Sequence, residues 1–192
     1  MDYRRAVFLS AMPVLALVPA LYADSLAAKW RGDQLFVSAA GLDLVREPLF
    51  GRLMNGGTVA YDFHVALWVG NKNTVRRRAF ERFVVSYDLW EEKFAVTGLR
   101  NPRIAARNLK AREVGAWCLE HVALHAADLK PADNLWVKLE VRAADPRRDS
   151  RLLEPDGVNI ANLIGLLSGP ARAGEQRWTA ESSQLLAAEL RQ

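Results

Sequence analysis

Along residues 58–69 apolar and polar side chains alternate with a period of two. Val59, Tyr61, Phe63, Val65, Leu67 and Val69 fall on one side, and Thr58, Asp62 and His64 on the other. That spacing predicts a half-buried strand. Its inward side chains, at roughly 1.5–3 kcal/mol each, contribute on the order of 10 kcal/mol of gross burial. Gly70-Asn71-Lys72-Asn73 then turns the chain into a second alternating run, Thr74 to Leu89. There Val75 and Ala79 open one face, Phe80 lies on the other, and Phe83, Val85, Tyr87 and Leu89 resume, so a change of phase predicts a β-bulge. After the turn Trp90-Glu91-Glu92, Phe94 and Val96 mark a third strand from Lys93 to Thr97, closed by Gly98. These three segments read as a β-meander that anchors the core.

Upstream, Leu35, Val37 and Ala39 alternate with Phe36, Ser38 and Ala40 in a first strand entered through Arg31-Gly32-Asp33. Glu47-Pro48 followed by Leu49, Phe50, Leu53 and Met54 gives helical spacing, with proline at a first-turn position and Gly56-Gly57 as the stop. Gly51 weakens that helix by up to about 1 kcal/mol relative to alanine. Downstream, Asn101-Pro102 breaks the pattern, and Asn108 is placed to cap a helix through Leu109, Val114, Trp117 and Cys118 that ends near Glu120. His121 to Ala126 reads as a short strand. Leu135, Val137, Leu139 and Val141 point inward along Leu135 to Arg142, with Trp136, Lys138, Glu140 and Arg142 facing water. A charged loop, Asp145 to Gly157, precedes a compact apolar helix, Val158 to Leu167, stopped by Gly169-Pro170. Gln176 to Ala180 reads as a final edge strand, and Ser182 or Ser183 as the cap of a last helix through Leu185, Leu186 and Leu190.

Antiparallel-type strands with short turns and no βαβ rhythm predict a mainly β domain: a two-sheet antiparallel β-sandwich, immunoglobulin-like, with two to four short helices. A curled single sheet packed on the central helix is the alternative. At 192 residues and 51% hydrophobic composition the chain can bury one good core, which fits a single globular domain over residues 24–192.

The beginning follows different rules. Arg4 and Arg5 precede an apolar run from Ala6 to Val18, then Pro19-Ala20-Leu21-Tyr22-Ala23 and polar Asp24-Ser25, which is signal-peptide grammar with cleavage after Ala23, or after Ala20 or Ala27. An uncleaved anchor is the competing reading, since the run just reaches the roughly 17–25 residues that span a bilayer; Pro13 and Pro19 argue against it. Removing residues 1–23 takes away two arginines and one aspartate and lowers the net charge from +4 to +3. That balance implies no nucleic-acid partner. The single cysteine, Cys118, excludes an intrachain disulfide and a lipid-attached cysteine at the end of the signal segment.

Several constellations carry potential chemistry. Cys118, His121 and His125 have three-ligand metal spacing, but a structural zinc site needs a fourth ligand and the helix ends before the histidines, so a buried thiol beside two imidazoles is preferred. Asp62 and His64 share a strand face without a nucleophile motif; a polar solvent face explains them more simply. Arg76, Arg77, Arg78 and Arg82 form a candidate anion-binding cluster, with further basic residues at Arg100, Arg103, Arg107, Lys110 and Arg112; solvated strand faces are the plainer reading. The tryptophans read as core or sheet-face packing. In Val158 to Leu167 only Asn159, Asn162 and Gly165 are non-apolar, so Ile160, Leu163, Ile164 and Leu167 are candidates for contacting a protein partner, a second copy or the membrane surface; burial of both faces within the domain, under the last segment, is the equal alternative. No cofactor is expected.

The order of Leu35-Phe36-Val37-Ser38, Met54-Asn55-Gly56-Gly57, Tyr61-Asp62-Phe63, Val85-Ser86-Tyr87-Asp88 and Phe94-Ala95-Val96-Thr97, behind a signal segment, resembles a family of exported bacterial domains of unknown function, often encoded near nitrogen-regulation type sensor histidine kinases. The resemblance implies an exported β-rich domain in the periplasm, and it assigns no catalytic residue. The expectation is a non-enzymatic, protein-binding or accessory module of an envelope or signalling complex, its partner a sensor kinase or membrane complex. A metal-dependent or hydrolytic enzyme is one alternative, and a carrier of an apolar ligand between the sheets is another.

Overall fold

In a computed structural model, which describes residues 25–144 and 176–190, the chain is mainly β, with two antiparallel sheets and two short α-helices. The smaller sheet has the order β1-β2-β7, from β1 (Ser25–Arg31), β2 (Gln34–Ala40) and β7 (Ala123–His125). The larger contains β3 (Val59–Val69), β4 (Val75–Asp88), β5 (Lys93–Gly98), β6 (Ile104–Leu109), β8 (Asn134–Ala144), β9 (Arg177–Glu181) and β10 (Leu185–Leu186). Its order is β10-β8-β3-β4-β5-β6, with β9 also paired to β8. The expected meander is its heart, and β3 is flanked on both sides along most of its length.

One hydrophobic core draws on both sheets. Val59, Tyr61, Phe63, Val65 and Leu67 of β3 are buried, as are Leu35 and Val37 of β2 and Leu135, Val137, Leu139 and Val141 of β8. These are the inward positions that the alternation assigns. Helix α1 (Leu49–Met54) lies where expected, with Phe50 in edge contact with Tyr87 and tilted against Phe94. Helix α2 (Ala111–Leu119) packs against β5 and β2, and it approaches the 41–45 segment so closely that a Cβ on Gly115 would meet the Leu42 carbonyl oxygen at 2.6 Å.

Several expectations are corrected. Asn108 does not cap α2: it is the next-to-last residue of β6, with φ 62, beside a register shift against β5, and the helix begins after Lys110, whose N–H donates to the Glu113 carboxylate at 2.9 Å. The irregularity of β4 is not at Phe80 either. It lies where Leu67 and Trp68 face Arg77 and Val75, and from there to Tyr87 the core face of β4 is continuous. Ser182 caps no helix, because its hydroxyl accepts the Val137 N–H at 2.9 Å, and Leu185 and Leu186 pair with β8 before a 3-10 turn, Ala187–Leu190. Gln176 to Ala180 does become an edge strand, β9, with Trp178 buried.

Candidate functional site

The register of β4-β3-β8-β9 builds a lattice of charge on the face of the larger sheet that points away from the core. In one row Arg82, Asp62, Arg142 and Arg177 lie side by side; in the next stand Phe80, His64, Glu140 and Thr179; in the third, Arg78, Ala66, Lys138 and Glu181. Opposite charges fall beside or diagonal to one another, the cross-strand positions from which side chains interact. Arg82 donates two parallel bonds to Asp62, both 2.5 Å. Glu140 accepts from Arg142 at 2.6 Å and from Arg177 at 2.5 Å. Lys138 and Lys72 meet Glu181 at 3.0 and 3.4 Å.

This face was expected to be wet, yet Glu140 is only 8% exposed and Arg142 4%. Alternation assigns their direction correctly, but ion pairs along β8, between Arg142 and Glu140, and across to Arg177 of β9, rather than water alone, satisfy them. Asp62 is therefore engaged by Arg82 and is no free general base for His64. His64 itself sits between Phe80 and Glu140, and its pKa is lowered, first by burial, then by Arg78 and Arg142, with Glu140 opposing.

A base whose folded-state pKa is depressed gives stability that is fully present above its unfolded value, about 6.5, and is lost as pH falls from there through the folded value. The His64→Gln variant should accordingly lose part of the decline in melting temperature that the wild type shows below about pH 6.5. Glu81 has a raised pKa, from burial opposed by Arg100 and His121, and works in the opposite sense. The measurement is therefore the difference between the two melting-temperature profiles, and parallel profiles would exclude His64 as the source.

The candidate anion cluster is dispersed. Arg76 and Arg77 both contact Asp128, at 3.1 and 2.6 Å; against partial desolvation, a backbone hydrogen bond to its carboxylate and then the two guanidiniums hold the carboxyl below the usual range. Arg82 is committed to Asp62, and Arg78 flanks His64 across the sheet. The metal-spaced set is dispersed as well. Cys118 is fully buried in α2, with its thiol pKa pushed up by burial. The Nδ1 of His121 is 2.7 Å from the Trp117 carbonyl oxygen, with the two rings tilted against one another at 4.1 Å, while His125 is exposed on β7 beside Asp33. Among the described residues no three His, Cys, Asp or Glu side chains are grouped to hold a metal. The partner-binding candidates Ile160, Leu163, Ile164 and Leu167 lie outside the described residues.

At the tip of the β4–β5 hairpin two expectations are corrected: Trp90 does not pack against the core or a sheet face, and Leu89 does not continue the inward face of β4. Trp90 is 95% exposed and Leu89 54% exposed. Their backbone is fixed: the Asp88 carboxylate accepts the N–H groups of Trp90 and Glu91 at 2.9 and 3.2 Å, and Glu92 takes a left-handed φ of 51. An Asx-type turn of this kind presents the indole on a short, ordered support. At the end of the same hairpin, half-buried Phe50 and Tyr87 pack with buried Phe94 in an aromatic cluster. The available signal was position, since a tryptophan among Asp88, Glu91 and Glu92 in a tight turn has no core to enter. No family model, curated protein or solved structure matches the chain.

Proposed function

We propose that this chain is an exported envelope protein, an immunoglobulin-like two-sheet sandwich, that serves as a non-enzymatic binding module of an envelope or signalling complex and docks its protein partner through the β4–β5 hairpin tip. The observation that carries the reading is Trp90, an almost fully exposed indole held on an ordered turn beside exposed Leu89. Exposed tryptophan is costly in water and is enriched among the residues that dominate protein–protein affinity. The address rests on the sequence from Arg4 to Ala23, and a sensor kinase or membrane complex is the partner that the family resemblance suggests.

The test is capture from cognate envelope extract with wild type and Trp90→Ala side by side. A docking residue of this kind contributes about 2 kcal/mol or more, roughly 30-fold in affinity, so the variant should lose the captured partner. Its melting temperature should stay unchanged, because the side chain touches little. Equal capture by both proteins would remove the hairpin tip as the docking site.

A further inference from the structure

The larger sheet ends in β6, and among the described residues no strand lies beyond it. In an antiparallel edge strand alternate N–H and C=O groups point away from the sheet, ready to pair with another extended chain. The two faces of this edge differ. Ile104 and Ala106, paired with Gly98 and Val96, lie on the core side and are half-buried. A Cβ on Gly98 would meet Ile104 at 2.7 Å and Phe83 at 3.2 Å, so Ile104 covers the margin of the core at this edge. On the opposite side, Ala105 and Arg107 are exposed.

The flanking charge is one-sided. Arg103, Arg107, Lys110 and Arg112 lie within or beside the strand in sequence; Arg100, upstream, is close enough to Glu81 to favour its ionised form, and the carboxylate nearest in sequence, Glu113, is engaged by the Lys110 N–H. Among the described residues Arg103, Arg107, Lys110 and Arg112 are in no ion pair.

We propose that β6 is a strand-addition site for an extended partner segment that alternates acidic and apolar residues. Its acidic side chains lie beside Arg103 and Arg107, and its apolar ones extend the core past Ile104 and Ala106. Main-chain bonds supply the affinity in such a mode, and the alternate side chains supply the choice of partner. A second copy of this chain is disfavoured, because pairing β6 with itself brings the same arginines together. The proposal rests on the protein-binding reading above but not on the hairpin tip.

The experiment is a fluorescence-anisotropy titration with a labelled peptide of about eight alternating glutamate and valine residues, long enough to cover a typical edge strand. Saturable binding that weakens with salt is expected. The same peptide N-methylated at alternate residues, which keeps its charge but removes main-chain donors, should bind about tenfold more weakly or worse. The exposed pair R103E/R107E should also weaken binding by about tenfold and favour a lysine–valine peptide instead. Equal binding of the N-methylated peptide would reduce the effect to charge attraction and overturn strand addition. So would indifference to the R103E/R107E change, an absence of binding, or a homodimer that excludes the peptide. Trp90→Ala should leave peptide affinity unaltered. Peptide binding with no Trp90-dependent capture would therefore sink only the hairpin-tip reading, and the converse would sink only strand addition.

Discussion

Replacing Glu140 by leucine is expected to destabilise the protein by about 3–5 kcal/mol, the cost of breaking a buried ion pair from one side. For a chain of this size that corresponds to a fall in melting temperature of roughly 2–4 °C per kcal/mol. Glu140 is itself buried and accepts from Arg142 and Arg177, and Arg142 has almost no exposed surface through which water could replace the carboxylate. Arg177 is 38% exposed at its side chain and can rehydrate, so the loss falls mainly on Arg142. Glu140→Gln keeps the shape and one acceptor while removing the charge, and it should fall between wild type and the leucine variant. The Lys72–Glu181 contact, half exposed on both sides, is the contrast: Lys72→Ala should change stability by less than about 1 kcal/mol. Urea unfolding of the three variants checks the order. A Glu140→Leu cost below that of Lys72→Ala would mean that the inner lattice contributes no more than surface charge.

The lattice also marks the limit of what alternation could reveal. Period two assigns Glu140 and Arg142 to the outer face, and they are there. Whether that face is wet depends on which residues lie across β3 and β9, and cross-strand register is not written in any single strand. The legible strands, β2, β3, β4, β5, β8 and β9, are those whose apolar residues alternate among β-branched and aromatic side chains. The strand β1 is hard to read because Leu26, Ala28 and Trp30 alternate among short, weakly strand-forming alanines. The strand β6 was missed because Ile104-Ala105-Ala106-Arg107-Asn108-Leu109 has little intrinsic strand preference and is held extended by β5. Asn108 was ambiguous for a physical reason. The short amide that suits a helix N-cap also tolerates the left-handed conformation of an irregular strand end, and here the second use prevails. Helix α1 was readable because both of its punctuation marks are local: Pro48 before it and Gly56, at φ 73, after it.

Phe83→Ala is expected to cost about 3–5 kcal/mol, and Phe83→Leu less than about 1.5 kcal/mol, because the first opens a cavity and the second nearly fills it. Phe83 is fully buried at the point where β4, β5 and α2 meet. Its ring stands edge-on to Phe63 at 5.3 Å and to Trp117 at 5.9 Å, and Trp117 in turn lies in tilted contact with His121. The same ring borders Gly98, over which Ile104 of β6 lies. Removing it therefore takes contacts from the helix and the sheet at once, and no single neighbour can close the gap. Near-ultraviolet circular dichroism should show a loosened Trp117 environment in Phe83→Ala while the far-ultraviolet strand signal persists, and urea unfolding gives the cost. Because Phe83 also backs the core margin at β6, the alanine variant should bind the glutamate–valine peptide more weakly than the leucine variant does. Equal stability of the two variants would show that α2 is held to the sheet by other contacts, such as the close approach of Gly115 to Leu42.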